Sequence, residues 1–387
     1  MLNKAKEIQA QLIDWRRDFH QHPELGFKEK RTSTKLAGIL EQMGCRVRRE
    51  VGKTGVIAEL GSGSPVVAIR ADIDALPILE DNHVDYASVN RGVMHACGHD
   101  AHASMALGAA ALLKNETFPG TVRLLFQPAE EVADDEGISG APRMIEDGAM
   151  KDVDFIIAAH VDPHIPTGAI AIESGPASGG VDSWFGKIIG KGGHGARPQE
   201  TVDTFYLAAH VMLALNAIVS RRLDPFDPAV ISIGSINGGH TENVIPDEIR
   251  ITGTLRFTRA QVQKKIHSEI KRAFEIARTL GGSYDLKFEI GTPPMYNDPL
   301  VSDMIADAGR ELLGKKNVLP FIKGLGAEDF GCFSEIAPGA MFSLGVHIKD
   351  DPRIIHHRLF DINESALPIG TAIITETALR LLHSRRS

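Results

Sequence analysis

The chain has 387 residues, of which 43% are hydrophobic and 24% are charged. This composition is typical of a globular protein, and the length is sufficient for a large core divided between two domains. The formal net charge of −8 at pH 7 argues against a nucleic-acid partner and against an anionic membrane surface. The three cysteines, an odd number at wide separations, do not form a disulfide framework and favour a reducing, cytoplasmic location.

The first predicted element is a helix near the start of the chain. Apolar residues Ile8, Leu12, Trp15 and Phe19 recur at helical spacing among charged residues. This segment has no continuous apolar run of the kind found in a signal peptide, so we expect none here. We also expect that no later segment is long and apolar enough to span a bilayer.

Three short apolar runs are predicted to be buried strands of an α/β domain. They read VVAIRADIDALP, TVRLLFQPAEE and DFIIAAHVDP. Their ends carry Asp72 and Asp74, then Glu130 and Glu131, then His160. In an open α/β sheet the carboxyl ends of parallel strands lie at one edge, where active sites gather. We therefore expect these five side chains to converge.

A cluster of histidines with one cysteine lies between the first two of these strands, in the segment VMHACGHDAH, residues 93–102. Cys97 and His99 stand just before the predicted helix AHASMALGAAALLK. Taken alone, a Cys-x-His pair is weak evidence for a site, paired glutamates are usually solvated, and His160 is more often a hydrogen-bonded core residue. Thiolate, imidazole and carboxylate donors at several strand ends are stronger evidence together, because divalent transition metals prefer this set.

From about residue 182 the pattern changes to that of a second domain. Strands and helices are predicted in the order β-α-β-β-α-β, which is typical of a ferredoxin-like domain. The chain then returns to α/β alternation and contains the segment IIHHRLFDINE. We predict an α/β protein in which residues 1–182 and 292–387 form a larger catalytic domain with a mostly parallel central sheet, and residues 183–291 form an inserted ferredoxin-like domain.

Eight short motifs occur in order along nearly the whole chain. They read RADIDALP, MHACGHDAH, FQPAEE, AAHVDP, GKGGHGARP, NVIP, GAEDF and HHRLFD. In this order they resemble the two-metal metallopeptidase family of aminoacylases and glutamate carboxypeptidases. The resemblance is strongest to the amidohydrolase branch, which includes N-acyl-amino-acid deacylases, hippurate hydrolases, auxin-conjugate hydrolases and some carboxypeptidases. Collinear motifs are far more specific than any one of them alone.

The resemblance implies metal ligands at the positions that match the family motifs. In the last motif it implies His356 rather than its neighbour His357, because the ligand in similar sequences stands four positions before the phenylalanine, here Phe360. Asp72 stands where other branches of the family have a ligand histidine, so it is a further candidate ligand. The implied ligands are Cys97, His99, Glu131, His160 and His356.

The resemblance also implies catalytic and substrate-binding residues. Glu130 would act as general base, and Asp74 would orient a metal ligand. In the inserted domain, His194 would reach the substrate carbonyl, commonly from the partner subunit of a homodimer. Asn243 and Arg256 would hold a substrate carboxylate.

These roles imply hydrolysis of an amide bond with two divalent metal ions per subunit, with Zn²⁺ or Mn²⁺ expected and Co²⁺ or Ni²⁺ as alternatives. The expected substrate is a small N-acyl amino acid, and the alternative activity is a metallocarboxypeptidase acting on short or N-blocked peptides. Two other hypotheses stay open: a metal-free cysteine hydrolase with Cys97 as nucleophile, and a non-catalytic binding dimer. We expect a homodimer with no nucleic-acid or membrane partner.

Overall fold

The structure is a computed structural model that describes residues 1–321, 324–349, 351 and 353–384. Within these residues ten α-helices and sixteen strands follow one another along the chain. The helices are α1 (Leu2–Glu7), α2 (Gln9–Gln21), α3 (Lys30–Gln42), α4 (His99–Leu113), α5 (Gly140–Glu146), α6 (Thr204–Arg222), α7 (Ala260–Thr279), α8 (Pro299–Leu313), α9 (Phe330–Ser334) and α10 (Leu367–His383). The strands are β1 (Arg46–Val51), β2 (Gly55–Ser62), β3 (Val66–Asp72), β4 (Gly120–Gln127), β5 (Phe155–Asp162), β6 (Ile170–Ala171), β7 (Gly175–Pro176), β8 (Gly180–Ile189), β9 (Gly193–His194), β10 (Ala229–Asn237), β11 (Val244–Ile245), β12 (Glu248–Phe257), β13 (Ser283–Ile290), β14 (Tyr296–Asn297), β15 (Val318–Leu319) and β16 (Gly339–Gly345).

The chain divides into two compact units. The first unit contains residues 1–177, 296–321 and the described residues from 329 onward, and the second contains residues 178–295 and 324–328. The predicted inserted domain, residues 183–291, lies inside the second unit, which extends several residues beyond it at both ends.

The first unit is built on an eight-stranded sheet in the order β1-β2-β4-β3-β5-β16-β6-β15. Its four central strands, β4, β3, β5 and β16, are parallel. Every residue of β3 is buried, which is the pattern of a strand covered on both faces of its sheet. Residues of α4 and α10 pack into the same hydrophobic core as these strands. The parallel arrangement places the carboxyl ends of β3, β4 and β5 at one edge of the sheet, which we call the carboxyl edge.

The second unit has a four-stranded antiparallel sheet in the order β10-β12-β8-β13. Helices α6 and α7 pack with Trp184 and Ile251 of this sheet in a separate hydrophobic core. Exposure alternates along β10 and β13, as expected for strands with one covered face and one open face. The element order and the sheet order are those of a ferredoxin-like domain, so the predicted fold class is confirmed.

One helix among the described residues, α6, is long and apolar enough to cross a membrane by length and composition alone. The sequence-based expectation that no segment meets this criterion was therefore wrong for α6. One third of its most apolar window is buried, through residues such as Leu207, Val211 and Leu215 that pack in the core of the second unit. This is weak evidence for a membrane span, because helices that pack in the core of a soluble domain pass the same test.

Candidate metal centre

Side chains that the sequence predicted as ligands converge at the carboxyl edge. Donor atoms of Cys97, His99 and His160 lie within 4.8 Å of one another. Donor atoms of Cys97, Glu131 and His356 meet the same limit. The five predicted ligands therefore form two groups of three donors that share the thiol of Cys97.

The loop before α4 brings the thiol and the imidazole to β5. Gly98, between Cys97 and His99, has a φ of 96°, a left-handed conformation that side chains disfavour. A Cβ atom at this position would also lie 2.3 Å from Cγ2 of Val161. Glycine is required here both for the backbone conformation and for the close approach to β5.

Hydrogen bonds fix the orientation of His99. Its Nδ1 lies 3.0 Å from the main-chain oxygen of Asp74 and 3.1 Å from Oδ1 of the same residue, so Nδ1 carries a proton. Nε2 faces the cluster, is buried and has no hydrogen-bond partner among the described residues. Burial alone would lower the pKa of His99, but Asp72, whose Oδ2 lies 3.6 Å from Nε2, raises it well above its ordinary value. The pocket favours positive charge at Nε2, and a bound cation fits this requirement.

Asp74 contacts one predicted ligand of each group. It is 1% exposed, and while Oδ1 accepts from His99, Oδ2 accepts the backbone N–H of Glu131 at 3.0 Å. A carboxylate in this position holds the tautomer of the imidazole and the backbone of the carboxylate ligand together.

Asp72, the further candidate ligand, forms hydrogen bonds through both carboxylate oxygens. Oδ1 accepts from Nδ1 of His102 at 2.5 Å, and Oδ2 accepts from Nη1 of Arg70 at 2.7 Å. Nε2 of His102 in turn accepts the backbone N–H of Val161 at 3.0 Å, beside the predicted ligand on β5. Although Asp72, His99 and His102 lie close enough to hold an ion, both nitrogens of His102 already have partners. His102 was not predicted as a site residue, although it follows His99 by one helical turn on the same face of α4.

The paired glutamates follow a strained turn after β4. Ala129 has a φ of 45°, which costs a residue with a side chain about 1 to 2 kcal/mol. Its N–H donates to Oε1 of Glu29 at 2.9 Å, and its oxygen accepts from the N–H of Gly140 at 2.8 Å. The turn is therefore held from two sides, and it delivers Glu130 and Glu131 to the carboxyl edge.

Glu130 and Glu131 both reach the imidazole of His99, because their carboxylate oxygens and a ring nitrogen lie within 4.8 Å of one another. Nε2 of His356 lies 2.9 Å from Oε1 of Glu131, and this contact raises the pKa of His356. The neighbouring His357 instead accepts the N–H of Leu359 through Nδ1. Of the two adjacent histidines, His356 is the one that contacts the cluster.

The thiol of Cys97 is 6% exposed, and its Sγ lies 3.4 Å from Nε2 of His160. Nδ1 of His160 donates to the main-chain oxygen of Val161 at 2.8 Å, which leaves Nε2 directed at the sulfur. Burial raises the pKa of Cys97 well above its ordinary value. Without a cation this thiol is a weak nucleophile, which argues against the metal-free cysteine hydrolase. A bound divalent metal would deprotonate it.

A buried ionic cluster lies beside the start of α4. Arg16 is fully buried and donates through Nε to Oδ2 of Asp100 and through Nη2 to Oδ1 of Asp361, each at 2.8 Å. Nδ1 of His20 lies 2.8 Å from the same oxygen of Asp100. Since Asp100 directly follows His99, this cluster anchors the first turn of α4 and with it a predicted ligand.

A second buried polar network supports the segment after the glutamate turn. Asp329 accepts hydrogen bonds from the side chains of Arg70, Gln127 and Ser139 and from the backbone N–H of Ala141. Arg70 and Asp329 were not predicted as site residues. The signals were present, because Arg70 interrupts an apolar strand and Asp329 lies in the motif GAEDF.

The second unit carries the remaining predicted site residues. His194 in β9 pairs with Val244 in β11, and the N–H of Gly195 donates to the oxygen of Asn243 at 2.8 Å, so His194 and Asn243 lie on one exposed ribbon. Arg256 lies near the far end of β12, about 26 Å from the first residue of that strand at the usual rise per residue. The structure therefore brings His194 and Asn243 together but does not bring Arg256 to them within one unit.

Comparison with known proteins decides the family. Peptidase family M20/M25/M40 matches residues 68–380. The chain belongs to this peptidase family. The resemblance inferred from the eight motifs is confirmed.

Within the M20 family the chain has relatives of nearly equal length. It is 37% identical to an N-acetyl-L-cysteine deacetylase of Bacillus subtilis, over 97% of this chain and 89% of the relative. It is 38% identical to thermostable carboxypeptidase 2 of Saccharolobus solfataricus, over 95% of this chain and 94% of the relative. The crystal structure of a Bacillus subtilis protein described as a dinuclear metal binding M20 peptidase has a TM-score of 0.85 and 33% identity, and the match covers 98% of this chain and all of that one.

Proposed function

We propose that this M20 protein hydrolyses the amide bond of small N-acyl amino acids. Membership of the family makes it a metal-dependent hydrolase of amide bonds, and the N-acyl amino acid is the finer part of the proposal. The observation that carries the proposal is the pair of donor groups sharing Cys97, with Glu130 beside them. The residues proposed to hold two divalent ions are Cys97, His99, Glu131, His160 and His356.

The proposed mechanism assigns proton transfer to Glu130. When bound, two divalent ions supply positive charge that polarises the amide carbonyl and lowers the pKa of the attacking water. Glu130 takes the proton of that water and returns it to the departing nitrogen. Asp74 keeps His99 and Glu131 in place during these transfers. His194 donates a hydrogen bond to the developing oxyanion, and a donor of this kind is worth about 3 to 4 kcal/mol.

The donor set favours Zn²⁺ as the native ion. Thiolate and imidazole ligands suit Zn²⁺, whereas carboxylates also suit Mn²⁺, and Co²⁺ or Ni²⁺ bind similar sets. Elemental analysis of protein purified without added metal tests this assignment. Two Zn²⁺ per chain would support the assignment of Zn²⁺, and two Mn²⁺ per chain would show that Mn²⁺ is the native ion instead.

The second candidate activity is a metallocarboxypeptidase. It is favoured by the 38% identity to the Saccharolobus carboxypeptidase, which is nearly the same as the identity to the deacetylase. Both activities cleave an amide next to a free carboxylate, so they differ mainly in the size of the acyl side. Rates on N-acetyl amino acids, hippurate and N-blocked dipeptides distinguish them.

The test of the main proposal is turnover by metal-loaded protein. We expect free amino acid to be released from at least one N-acyl amino acid, to stop after treatment with a chelator, and to resume when metal is restored. Iodoacetamide applied to the metal-loaded protein should have little effect. Loss of activity to iodoacetamide without loss of metal would support the cysteine hydrolase, and no turnover across the panel would support a binding protein.

We also propose that the protein is a homodimer. Phe205, Tyr206 and Leu213 of α6 are 48%, 55% and 71% exposed, and β10 is an edge strand with Val230 and Ile236 exposed. An apolar helix face and an open edge strand are features that a second copy commonly covers. Light scattering coupled to size exclusion tests the mass. A monomer at micromolar concentration would refute the dimer.

The separation of Arg256 from Asn243 supports a composite site in that dimer. Asn243 precedes the start of β12, whereas Arg256 lies near the end of that strand, so a small substrate that contacts both would draw them from two copies of the unit. We propose that His194 and Asn243 serve the metal centre of the partner chain.

We further propose a cytoplasmic location, since Cys45 and Cys97 are free thiols.

A further inference from the structure

Glu29 is a fully buried carboxylate that belongs to neither donor group. It is the N-cap residue of α3, a position where a side chain ordinarily accepts hydrogen bonds from the first turn of the helix. Here that role is filled by Glu24, whose two oxygens accept the backbone N–H groups of Arg31 and Thr32 at 3.1 and 2.8 Å. The carboxylate of Glu29 is therefore not needed by its own helix.

Glu29 instead links two distant segments of the first unit. Oε1 accepts the N–H of Ala129 at 2.9 Å, and Oε2 accepts the hydroxyl of Thr54 at 2.5 Å. Thr54 anchors the carboxylate, so its other oxygen is aimed at the left-handed turn. The turn is also crowded from this side, because a Cβ on Gly26 would lie 2.4 Å from Cγ2 of Val132.

We propose that Glu29 is a positioning residue that holds the Ala129 turn and thereby aims Glu130 at the reacting atoms. A left-handed alanine is strained, so its conformation depends on surrounding contacts such as the hydrogen bonds made by its N–H and its oxygen. If the bond to Glu29 is lost, the turn relaxes and the carboxylate of Glu130 moves. A displacement of about 1 Å at a catalytic group can lower the rate by about 100-fold.

The inference rests on the proposed function of Glu130. A positioning role for Glu29 can be distinguished from a purely structural one. A structural role predicts loss of stability alone, whereas a positioning role predicts loss of kcat at unchanged KM and metal content. Two substitutions separate the effect of side-chain length from the effect of the negative charge. Glu29→Gln keeps the length and can still accept from Ala129 and donate to Thr54, whereas Glu29→Asp keeps the charge but is one methylene too short.

The experiment compares these variants in metal-loaded protein on the substrate that wild type cleaves best. We expect Glu29→Ala and Glu29→Asp to lower kcat by about 10- to 100-fold, with KM changed by less than about 3-fold, and Glu29→Gln to stay within about 3-fold of wild type. Glu24→Ala is the matched control, because it removes the cap of the same helix and should lower Tm without lowering kcat. If Glu29→Asp is as active as Glu29→Gln, or if Glu24→Ala loses as much kcat as Glu29→Ala, the proposal is overturned.

A readout independent of turnover is amide hydrogen exchange in the segment 128–132, measured with and without bound metal. Loss of the acceptor should speed exchange at Ala129 by about 10-fold or more in Glu29→Ala and Glu29→Asp, but not in Glu29→Gln. Equal exchange in all variants contradicts the proposal. If wild type cleaves no substrate of the panel, the proposed function fails, and the exchange experiment still decides whether Glu29 holds the turn. If Glu29→Ala does not fold, the comparison of Glu29→Asp with Glu29→Gln tests the proposal on its own.

Discussion

The carboxyl edge of the first unit and the β9–β11 ribbon of the second unit both carry predicted site residues, but these residues differ in burial and in the contacts that hold them. At the carboxyl edge, buried Asp74 links the predicted ligands His99 and Glu131. Buried Asp72 contacts Nδ1 of His102, which packs beside them. On the ribbon, His194 and Asn243 are exposed, and Nδ1 of His194 accepts the backbone N–H of Ala196 at 3.1 Å. Buried groups of the same unit therefore hold the predicted ligands of the first region, whereas the two residues of the second region are open to solvent.

The largest effect is expected from the buried region. Glu130→Gln should lower kcat by about 100-fold or more, because the amide cannot take the proton of the attacking water. Metal content should stay at the wild-type value, as measured by elemental analysis. Glu131→Gln is the matched control and should lose metal. An active Glu130→Gln protein would remove Glu130 from the mechanism.

On the exposed ribbon, His194→Ala should lower kcat by about 100-fold through loss of an oxyanion donor. Mixing it with Glu130→Gln protein under subunit exchange should restore about one quarter of the wild-type sites, since half of the dimers are mixed and each has one intact site. Recovered activity supports a ribbon completed by the partner. Absence of recovery despite proven exchange would place His194 in its own chain's site or outside the mechanism.

The free energy of unfolding should distinguish the two regions more sharply than kcat does. Arg16→Leu leaves the buried carboxylates of Asp100 and Asp361 without their cation, which should lower the free energy of unfolding by about 3 to 5 kcal/mol. His194→Ala should change it by less than about 0.5 kcal/mol, because the side chain is exposed. Urea denaturation of the metal-free variants measures both. Similar losses would contradict the contrast between the regions.

The smallest effect concerns Glu29. Burial raises the pKa of Glu29 to about 7, above its unfolded value of 4.5. A carboxyl whose pKa is raised on folding contributes stability below the unfolded pKa, and that contribution is lost as the pH rises through 7. Wild type should therefore lose about 2 kcal/mol relative to Glu29→Gln between about pH 5 and pH 8. Parallel stability curves would show that Glu29 does not titrate in this range.

The convergence of the ligands could be predicted from the sequence, because it follows from parallel strands that end in polar residues. Strands β3, β4 and β5 are adjacent, so Asp74, Glu131 and His160 had to meet once the strands were recognised. The preference for His356 over His357 came from the family motif and not from spacing. The contact between His356 and Glu131 agrees with it.

The supporting groups could not be predicted in the same way. Glu29 and Ala129 are 100 residues apart, and Asp329 reaches Gln127 across 202 residues. Such pairs depend on packing between elements rather than on any local pattern. The backbone strain at Ala129 was also invisible, because alanine gives no sequence signal for a left-handed conformation.

The thiol shared by the two donor groups couples them chemically. Oxidation of Sγ of Cys97 to a sulfenic acid would remove a donor from both groups in one event. Each ion would then be left with two protein donors from its group at the same moment. We therefore expect peroxide to release both ions together rather than one after the other, and a reductant that restores the thiol to restore the capacity for both.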